Sequence, residues 1–372
     1  MNFLIVTEPD DTHAIYVSLA LISIGHRVLS LFCADYPSIQ KNSVFIDNDE
    51  YRSQSKDLYQ IIEHVDYDVV WWRRPRQPYL EKSKVYLEDY KFYKRENLMF
   101  HESFTHQLAP RAWWINRKEA ALRSNYKLLQ LKVASDVGMT IPTTLLSNDH
   151  EEIYAFYKKF CKQGVIHKPL TFQFWDEGDG LRVCYTAKIE EMKVLEKACL
   201  DMIPGIYQVQ IPKLYELRVT CFGDYIVAVK IHSQDCDEAK MDWRMLHPSK
   251  LKLEPYQLPD KLIKQIRYLM RELGIVFGCM DFIVTPDGDY IFLEVNEQGQ
   301  FLFIEKYCPE LPMLDIFTHF LVQQTTQFYW KKSKPDFKMM DFADEVNKKM
   351  QENQYRHIDV RALTKKKKTE VI

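Results

Sequence analysis

The feature that most constrains the fold is a hairpin pattern between residues 281 and 296, where acidic residues are set into an apolar strand sequence. Asp287-Gly288 is typical of a two-residue hairpin turn, because both central positions of a type I′ turn need positive φ. Counting outward from this turn predicts three cross-strand pairs: Pro286 with Asp289, Ile283 with Phe292, and Asp281 with Glu294. The carboxylates of the last pair are therefore expected to face each other.

These carboxylates are predicted to hold a metal ion. Asn296 lies two residues beyond Glu294 and points to the same face, since strand side chains alternate with a period of two. Facing carboxylates repel unless a cation or a proton lies between them. Two acids and an amide oxygen form a donor set suited to Mg²⁺. The alternative is a hairpin with exposed acids. The apolar neighbours Leu293 and Val295 favour a metal site of Asp281, Glu294 and Asn296, because unpaired charge among them is costly.

Composition excludes several classes of protein. The 372 residues are enough for two or three compact units, and 46% hydrophobic with 27% charged residues is typical of a globular chain. None of the 11 glycines forms the GxGxxG of a dinucleotide fold or the phosphate loop of P-loop proteins. A formal charge of −2 argues against a general nucleic-acid binder. Eight cysteines without a CxxC pair favour reduced thiols, and the apolar stretch 16–24 is too short to span a membrane. We therefore predict a cytoplasmic protein that binds neither membranes nor nucleic acid.

The first 110 residues read as an α/β domain. Apolar runs predict strands at 3–6, 28–32 and 68–72. A helical pattern begins at Thr12 and ends at Gly25, and a helix-prone stretch covers 79–106. Pro110 marks the boundary of this domain.

A second α/β region follows. Asn116 is expected to cap a helix that continues to Gly138, and Asp149 begins another that ends at Phe160. Further elements of this region are predicted in this order: a strand at 164–167, a hairpin from Phe172 to Thr186 that turns at 176–180, and strands at 207–211 and 217–222. A third region is predicted to hold a helix from Pro259 to Leu273 closed by Gly274, then two strands and a late helix. After Lys331 the chain becomes polar, and we predict a solvated tail that includes Lys365 to Lys368.

The order of charged residues along the chain resembles the ATP-grasp superfamily. Lys127 on the capped helix, Lys168 at a strand end and Glu216 in Tyr-Glu-Leu-Arg precede Asp281 and the Glu-x-Asn pair in the family's order. Either lysine alone reads as a surface charge. The resemblance implies that both lysines contact ATP phosphates and that Glu216 binds the ribose. It also implies that two Mg²⁺ ions bind at the acidic set.

The resemblance further implies a fold and an adenine site. The fold is an ATP-grasp α/β fold, with an N-terminal α/β domain at 1–110, a central lobe at 111–206, a C-terminal α+β lobe at 207–330 and a polar helical, basic tail at 331–372. The linker between the lobes contacts adenine through its backbone, and its residues here are Gln208, Val209, Gln210 and Ile211. Val209 stands where a glutamate is common.

A narrower resemblance covers most of the chain, from Met1 to about Trp330. The sequence is similar to the ATP-grasp peptide macrocyclases of the microviridin or graspetide type. The matching segments are Trp71-Trp72-Arg73-Arg74-Pro75, Glu216-Leu217-Arg218-Val219-Thr220, Ile231-His232-Ser233-Gln234, Asp242-Trp243-Arg244 and Phe292 to Phe301. Glu297 and Phe301 replace residues that are more often proline and tryptophan in that family.

This resemblance implies a peptide ligase. ATP converts Asp or Glu side chains of a ribosomal precursor peptide to acyl phosphates, and Ser or Thr hydroxyls or Lys amines then attack to form ω-esters or ω-amides. Arg218, Arg244 and Arg74 are the catalytic candidates. The hairpin that docks the leader peptide carries Phe172, Phe174, Trp175, Asp176, Glu177 and Asp179. The family also implies a homodimer.

Several alternatives stay open from the sequence. Arg218 pairs with a neighbouring acid in one of them, the tryptophans pack in the core, and His232 is structural rather than a general base. The whole chain has two rival functions. One is an ATP-grasp ligase that joins an amine to a small acid or a protein terminus, and the other is a peptide-binding protein without chemistry.

Overall fold

The computed structural model describes residues 1–64, 66–171, 186–190, 197–331 and 333–360, and the backbone of two short strands at 174–176 and 181–183. The chain forms two compact units. The first contains Met1–Ala121, Phe222–Tyr225 and the chain from Pro312 onward, and the second contains Leu122–Cys221 and Ile226–Leu311. Both units are therefore discontinuous in sequence.

The strands are, in chain order, β1 Asn2–Thr7, β2 Arg27–Phe32, β3 Lys41–Ile46, β4 Tyr51–Lys56, β5 Ile61–Glu63, β6 Val69–Trp72, β7 Trp113–Ile115, β8 Thr144–Ser147, β9 Val165–Lys168, β10 Phe174–Asp176, β11 Leu181–Val183, β12 Ala187–Lys188, β13 Gly205–Val209, β14 Tyr215–Phe222, β15 Tyr225–Ile231, β16 Leu253–Tyr256, β17 Phe277–Val284 and β18 Tyr290–Asn296. The α-helices are α1 Thr12–Ser23, α2 Tyr90–His106, α3 Lys118–Ser124, α4 Lys127–Asp136, α5 His150–Phe160, α6 Lys197–Met202, α7 Asp260–Leu273, α8 Leu302–Tyr307, α9 Met313–Gln323 and α10 Ala343–Arg356. No helix in the described part of the chain is long and apolar enough to cross a membrane.

The first unit is built on a parallel sheet in the order β2-β1-β6-β7. Its strands bury apolar side chains on both faces, as covered parallel strands do, and the predicted strands and the helix from Thr12 are confirmed. Trp71 and Trp72 are buried, so they pack in the core. The antiparallel sheet β3-β4-β5 was not predicted, because its strands are mostly polar or exposed and lack a clear apolar alternation.

The expected solvated tail is wrong for the described part of the C-terminal segment. Helix α10 belongs to the first unit, where the Nδ1 atom of His357 lies 2.7 Å from an oxygen of Asp35 and Asn353 donates to the carbonyl of Pro9 at 3.4 Å. Val346 is buried. The packing of α10 in the first unit could not be predicted from its predominantly polar sequence, because only a few of its side chains make the contacts. Lys365 to Lys368 lie outside the described residues.

The single helix predicted from Asn116 to Gly138 is also wrong, because the chain forms α3 and α4 with a break between them. Tyr126 has an extended backbone and precedes α4. The apolar positions used for the prediction are not all core-facing, since Leu122 and Tyr126 are 51% and 65% exposed. The break instead allows Gln130 to enter the core.

In the second unit, one sheet has the order β12-β9-β13-β8 and the other has the order β16-β15-β14-β17-β18. Helix α5 begins after its N-cap Asp149, and α7 ends at Gly274, whose φ is 72°, both as predicted. On one face of the first sheet, Tyr207 and Val165 pack with Ile153 of α5. Side chains at alternate positions of β9 and β13 therefore point to the opposite face.

Candidate active site

A cavity of about 990 Å³ lies in the second unit. It brings together all ten residues predicted for nucleotide and metal binding, and with them the predicted catalytic residue Arg244. The ten are Lys127, Lys168, Gln208, Val209, Gln210, Ile211, Glu216, Asp281, Glu294 and Asn296. These residues come from α4, both sheets, the segment after β13 and the segment after β15. Their assembly in one cavity agrees with a shared site.

The hairpin β17-β18 places the acidic pair through a register that differs from the prediction. Asp281 does lie opposite Glu294, but Ile283 pairs with Ile291 because a bulge shifts the register after Asp281. The turn is also longer than two residues, since the Thr285 amide donates to the carbonyl of Asp289 and Gly288 has a φ of 87°. This loop needs one left-handed residue. The bulge compensates for the longer loop and returns the two acids to opposite positions.

Asp281 is held by a buried arginine. The Nη1 atom of Arg218 donates to both carboxylate oxygens of Asp281, at 3.0 and 2.8 Å, and its Nη2 atom donates to the carbonyl of Gln300 at 3.0 Å. Burial raises the pKa of Asp281, and the Arg218 charge opposes this shift while Glu294 adds to it. The structure therefore shows Arg218 paired with a neighbouring acid, which was one of the alternatives from the sequence. A direct contact between Arg218 and a phosphate stays a prediction.

Glu294 is compensated by two cations. The Nζ atom of Lys127 donates to its Oε2 atom at 2.6 Å, and Nη1 of Arg244 lies 3.5 Å from its Oε1 atom. Burial alone raises the pKa of Glu294, but the charges of Lys127 and Arg244 outweigh burial and lower it to about 2. Glu294 therefore stays ionised at neutral pH. Asn296 donates Nδ2 to Glu294 at 3.3 Å, which leaves its Oδ1 atom as an acceptor.

The acidic set fits a divalent cation. Asp281, Glu294 and Asn296 offer oxygen donors on one side of a single hairpin, and the carboxylates lie where neighbouring positive charge is needed to offset their burial. Oxygen-only donor sets of this kind suit Mg²⁺. These three residues would hold the ion.

Helix α4, which carries Lys127, is attached to strand β18 by the side chain of Gln130. Its Nε2 atom donates to the carbonyls of Ser124 and Val295, at 2.6 and 2.8 Å, and its Oε1 atom accepts from the Val295 amide at 3.0 Å. Gln130 is fully buried. The side chain thus completes hydrogen bonds at the edge of the sheet, next to Glu294.

Replacing Gln130 with leucine is expected to lower the free energy of unfolding by about 3 kcal/mol, because both backbone groups of Val295 lose a buried partner. Urea unfolding measures this loss. Gln163→Leu is the matched control, since Gln163 is exposed, and its change is expected to stay within about 0.5 kcal/mol. Equal stabilities of the two variants would rule out this role for Gln130.

The cavity-facing side of the first sheet is mainly apolar. Ile206 and Gln208 of β13 lie opposite Lys168 and Ile166 of β9, and all four line the cavity. Burial lowers the pKa of Lys168, and the charge of Glu294 opposes this shift. A cationic group next to a flat apolar surface suits a ligand that has both a ring and an anionic end.

Glu216 has a partner that the sequence analysis did not identify. Lys213 donates to its Oε1 atom and to the carbonyl of Met241, both at 2.8 Å. Burial raises the pKa of Glu216, and the Lys213 charge opposes this shift. The spacing of three residues between Lys213 and Glu216, just after the predicted linker, is the signal that could have revealed the pair.

Arg244 is positioned by Asp242, which was quoted in the Asp-Trp-Arg motif without a role. The Nε and Nη2 atoms of Arg244 donate to the two oxygens of Asp242, both at 2.8 Å. Trp243 stacks on Phe303, with ring centroids 5.7 Å apart. The motif therefore packs through its tryptophan and presents its arginine to the cavity.

The remaining predicted residues lie elsewhere or cannot be placed. Arg74 belongs to the first unit, where it follows β6 with a positive φ of 49°. His232 lies with its Nε2 atom 3.0 Å from Glu254, in agreement with a structural role.

The predicted leader hairpin is confirmed at the backbone level, since β10 pairs with β11 in antiparallel orientation. The side chains of Phe174, Trp175 and Asp176 are outside what the structure describes. Phe172, Glu177 and Asp179 lie outside the described residues altogether. Leader binding by these six residues stays a prediction.

Solved ATP-grasp ligases are similar to this chain. A RiPP-associated ligase of Chryseobacterium gregarium, in complex with ADP and a leader and core peptide, has a TM-score of 0.79 at 25% identity, over 87% of this chain and 97% of that one. The macrocyclase MdnC of Microcystis aeruginosa MRC, bound to its precursor peptide MdnA, has a TM-score of 0.74 at 29% identity, over 87% and 100%. PsnB, complexed with a minimal precursor, Mg and ADP, has the same fold at 19% identity, with a TM-score of 0.65 over 88% and 98%.

No protein-family model and no curated protein matches the chain. The solved structures nevertheless confirm the resemblance to ATP-grasp peptide macrocyclases. They also agree with the mixed α/β class of the fold.

Proposed function

We propose that this chain is an ATP-grasp ligase that cross-links side chains within a ribosomal precursor peptide. The observation that carries the proposal is the cavity in which the Asp281–Glu294 pair lies beside Lys127 and Lys168. The similarity of the chain to ligases solved with precursor peptides supports a peptide as the substrate. ADP, Mg and precursor peptide in the related structures support ATP and Mg²⁺ as requirements.

The proposed reaction has two steps. An Asp or Glu carboxylate of the peptide attacks the γ-phosphate of ATP, which gives an acyl phosphate and ADP. A Ser or Thr hydroxyl or a Lys amine of the same peptide then attacks the acyl carbon and expels phosphate. The product is an ω-ester or ω-amide, and each ring costs the peptide one water. Because the second attack is intramolecular, binding the peptide in a suitable conformation supplies much of the rate.

The proposal assigns a role to each of these cavity residues and to Arg218, which contacts Asp281. Lys127 and Lys168 bind the phosphates, while Glu216 binds the ribose hydroxyls and is itself neutralised by Lys213. Bound Mg²⁺ supplies positive charge that stabilises the transferring phosphoryl group. Arg218 orients Asp281 through its two-oxygen contact. Arg244, half-exposed and positioned by its neighbour Asp242, stabilises negative charge in the cavity.

Outside the cavity, the proposal assigns peptide recognition to two places. The β10-β11 hairpin docks the leader through Phe172, Phe174, Trp175, Asp176, Glu177 and Asp179. Arg74 binds a carboxylate of the segment of the peptide that is cross-linked. The lobe arrangement of an ATP-grasp fold, a homodimer and a cytoplasmic location belong to the same proposal.

Intact-mass spectrometry tests the function. The protein is incubated with ATP, Mg²⁺ and a leader-bearing peptide rich in Thr, Ser, Lys, Asp and Glu, such as one encoded beside it. We expect losses of one or more waters that require ATP. Mild alkaline hydrolysis then separates esters from amides. An unchanged peptide with continued ADP formation would instead indicate a small-molecule ligase, and no ADP with any peptide would indicate a protein without chemistry.

A further inference from the structure

Lys213 connects two parts of the cavity wall. Its Nζ atom donates to the Oε1 atom of Glu216 and to the main-chain carbonyl of Met241, both at 2.8 Å. All three residues line the cavity, and the side chain of Lys213 is 13% exposed. A lysine ammonium has three donors, so it can hold both oxygens at once. This contact joins strand β14, which carries Glu216, to the segment after β15.

The segment after β15 presents Arg244 to the cavity. Asp242 accepts two hydrogen bonds from the Arg244 guanidinium, both at 2.8 Å, and one from the Arg244 amide at 3.2 Å. The Nη1 atom of Arg244 lies 3.5 Å from the Oε1 atom of Glu294. Met241 directly precedes Asp242 in the chain. The contact of Lys213 with Met241 therefore fixes the main chain next to the Asp242–Arg244 pair.

The main-chain hydrogen bonds of this segment are local. It is formed by short 3₁₀ turns, in which the amides of Ala239, Met245 and Leu246 donate to carbonyls three residues earlier. Such bonds fix the shape of a turn, but they do not fix its position against the rest of the protein. The contact of Lys213 with Met241 joins residues 28 positions apart, so it does fix that position.

We propose that Lys213 is a positioning residue that links the sugar-binding carboxylate of Glu216 to the placement of Arg244. One ammonium neutralises Glu216 and holds the segment 241–244 beside it. The effect of Lys213 on the reaction is then transmitted through Asp242 and Arg244. The inference rests on the proposed function and deepens it, because it connects the ribose site with the arginine that stabilises negative charge.

Hydrogen exchange of the intact protein, without nucleotide or peptide, tests the contact itself. In Lys213→Met the Met241 carbonyl loses its donor, and the amides of 241–246 are expected to exchange at least about tenfold faster than in the wild type. Glu216→Gln keeps Lys213 and an oxygen that accepts from it. The exchange of the same amides should then stay within about threefold of the wild type.

Steady-state kinetics of ATP-dependent peptide modification separate positioning from charge. Lys213→Met is expected to lower kcat at saturating ATP at least about tenfold, because a small displacement of Arg244 weakens its interaction with the transition state. Glu216→Gln should instead raise the KM for ATP about tenfold, with a change in kcat below about threefold. The double variant has no uncompensated carboxylate at this place, yet its kcat should stay as low as that of Lys213→Met.

Lys349→Met is the matched control. Lys349 and Glu352 have the same spacing of three residues, but their side chains are 48% and 36% exposed. This variant should leave both the exchange of 241–246 and the kinetics unchanged. A wild-type kcat in the double variant would overturn the inference, because Lys213 would then only neutralise Glu216. Wild-type exchange of 241–246 in Lys213→Met would overturn it as well. A wild-type protein that forms no ADP would overturn the proposed function, while the exchange result would still decide whether Lys213 holds the segment.

Discussion

The Glu294→Gln variant is expected to lose at least about 10³-fold in kcat/KM for ATP-dependent peptide modification, since removing one metal-binding charge costs several kcal/mol of transition-state stabilisation. Glutamine keeps the shape but removes the charge that Lys127 and Arg244 compensate. Intact-mass spectrometry of the peptide, with ADP release measured in parallel, quantifies the loss. Circular dichroism checks that the variant folds.

Glu297→Gln is the matched control for this prediction. Glu297 is also buried, and its Oε1 atom accepts from Asn125 at 2.9 Å, a hydrogen bond that a glutamine oxygen can keep. Its kcat/KM is expected to stay within about threefold of the wild type, because glutamine keeps the oxygen that accepts from Asn125 and the charges of Asp281 and Glu294 are unchanged. If both variants lost activity equally, the effect would reflect buried glutamates in general rather than a metal site at Glu294.

The Arg218→Met variant is expected to lose about 3–5 kcal/mol of unfolding free energy in the absence of nucleotide and metal. The side chains of Arg218 and Asp281 are 7% and 9% exposed, so removing the guanidinium leaves a buried carboxylate without its compensating charge. Chemical denaturation monitored by fluorescence measures the loss. Arg111→Met is the comparison, because the side chains of Arg111 and its partner Asp66 are 78% and 82% exposed, and this ion pair is expected to contribute less than about 1 kcal/mol.

A double variant separates charge from packing. Arg218→Met combined with Asp281→Asn removes the uncompensated carboxylate, and we expect it to regain more than half of the stability that Arg218→Met loses. If the double variant were no more stable than Arg218→Met alone, the cost would come from lost packing of the long side chain. The two-oxygen contact would then contribute little to stability.

Much of the candidate site was predictable because its residues lie in locally recognisable elements. The alternation around Glu294 indicated a strand, and Asp287-Gly288 indicated a hairpin turn nearby. The detailed register was not predictable, since one bulge and one longer loop compensate each other and leave Asp281 opposite Glu294. The correct pairing of the acids therefore came from a register that was wrong near the turn.

The break between α3 and α4 was missed for a different reason. Apolar residues that recur at spacings of three and four indicate a helix with one apolar face. This spacing does not show whether every turn of that helix packs against the core. Gln130 looks like a surface residue in the sequence, yet it is fully buried because it completes hydrogen bonds to Ser124 and Val295. Buried polar residues of this kind have no local signature.

The sequence by itself determined which chemistry the chain carries and in what order, because capped helices, alternating strands and turn residues are local properties. Only the tertiary structure decided which charges compensate one another. Lys127 and Glu294 are 167 positions apart, and Arg218 and Asp281 are 63 apart, yet each pair is in hydrogen-bond contact. Such partners are selected by the packing of distant elements, where burial makes every unpaired charge costly.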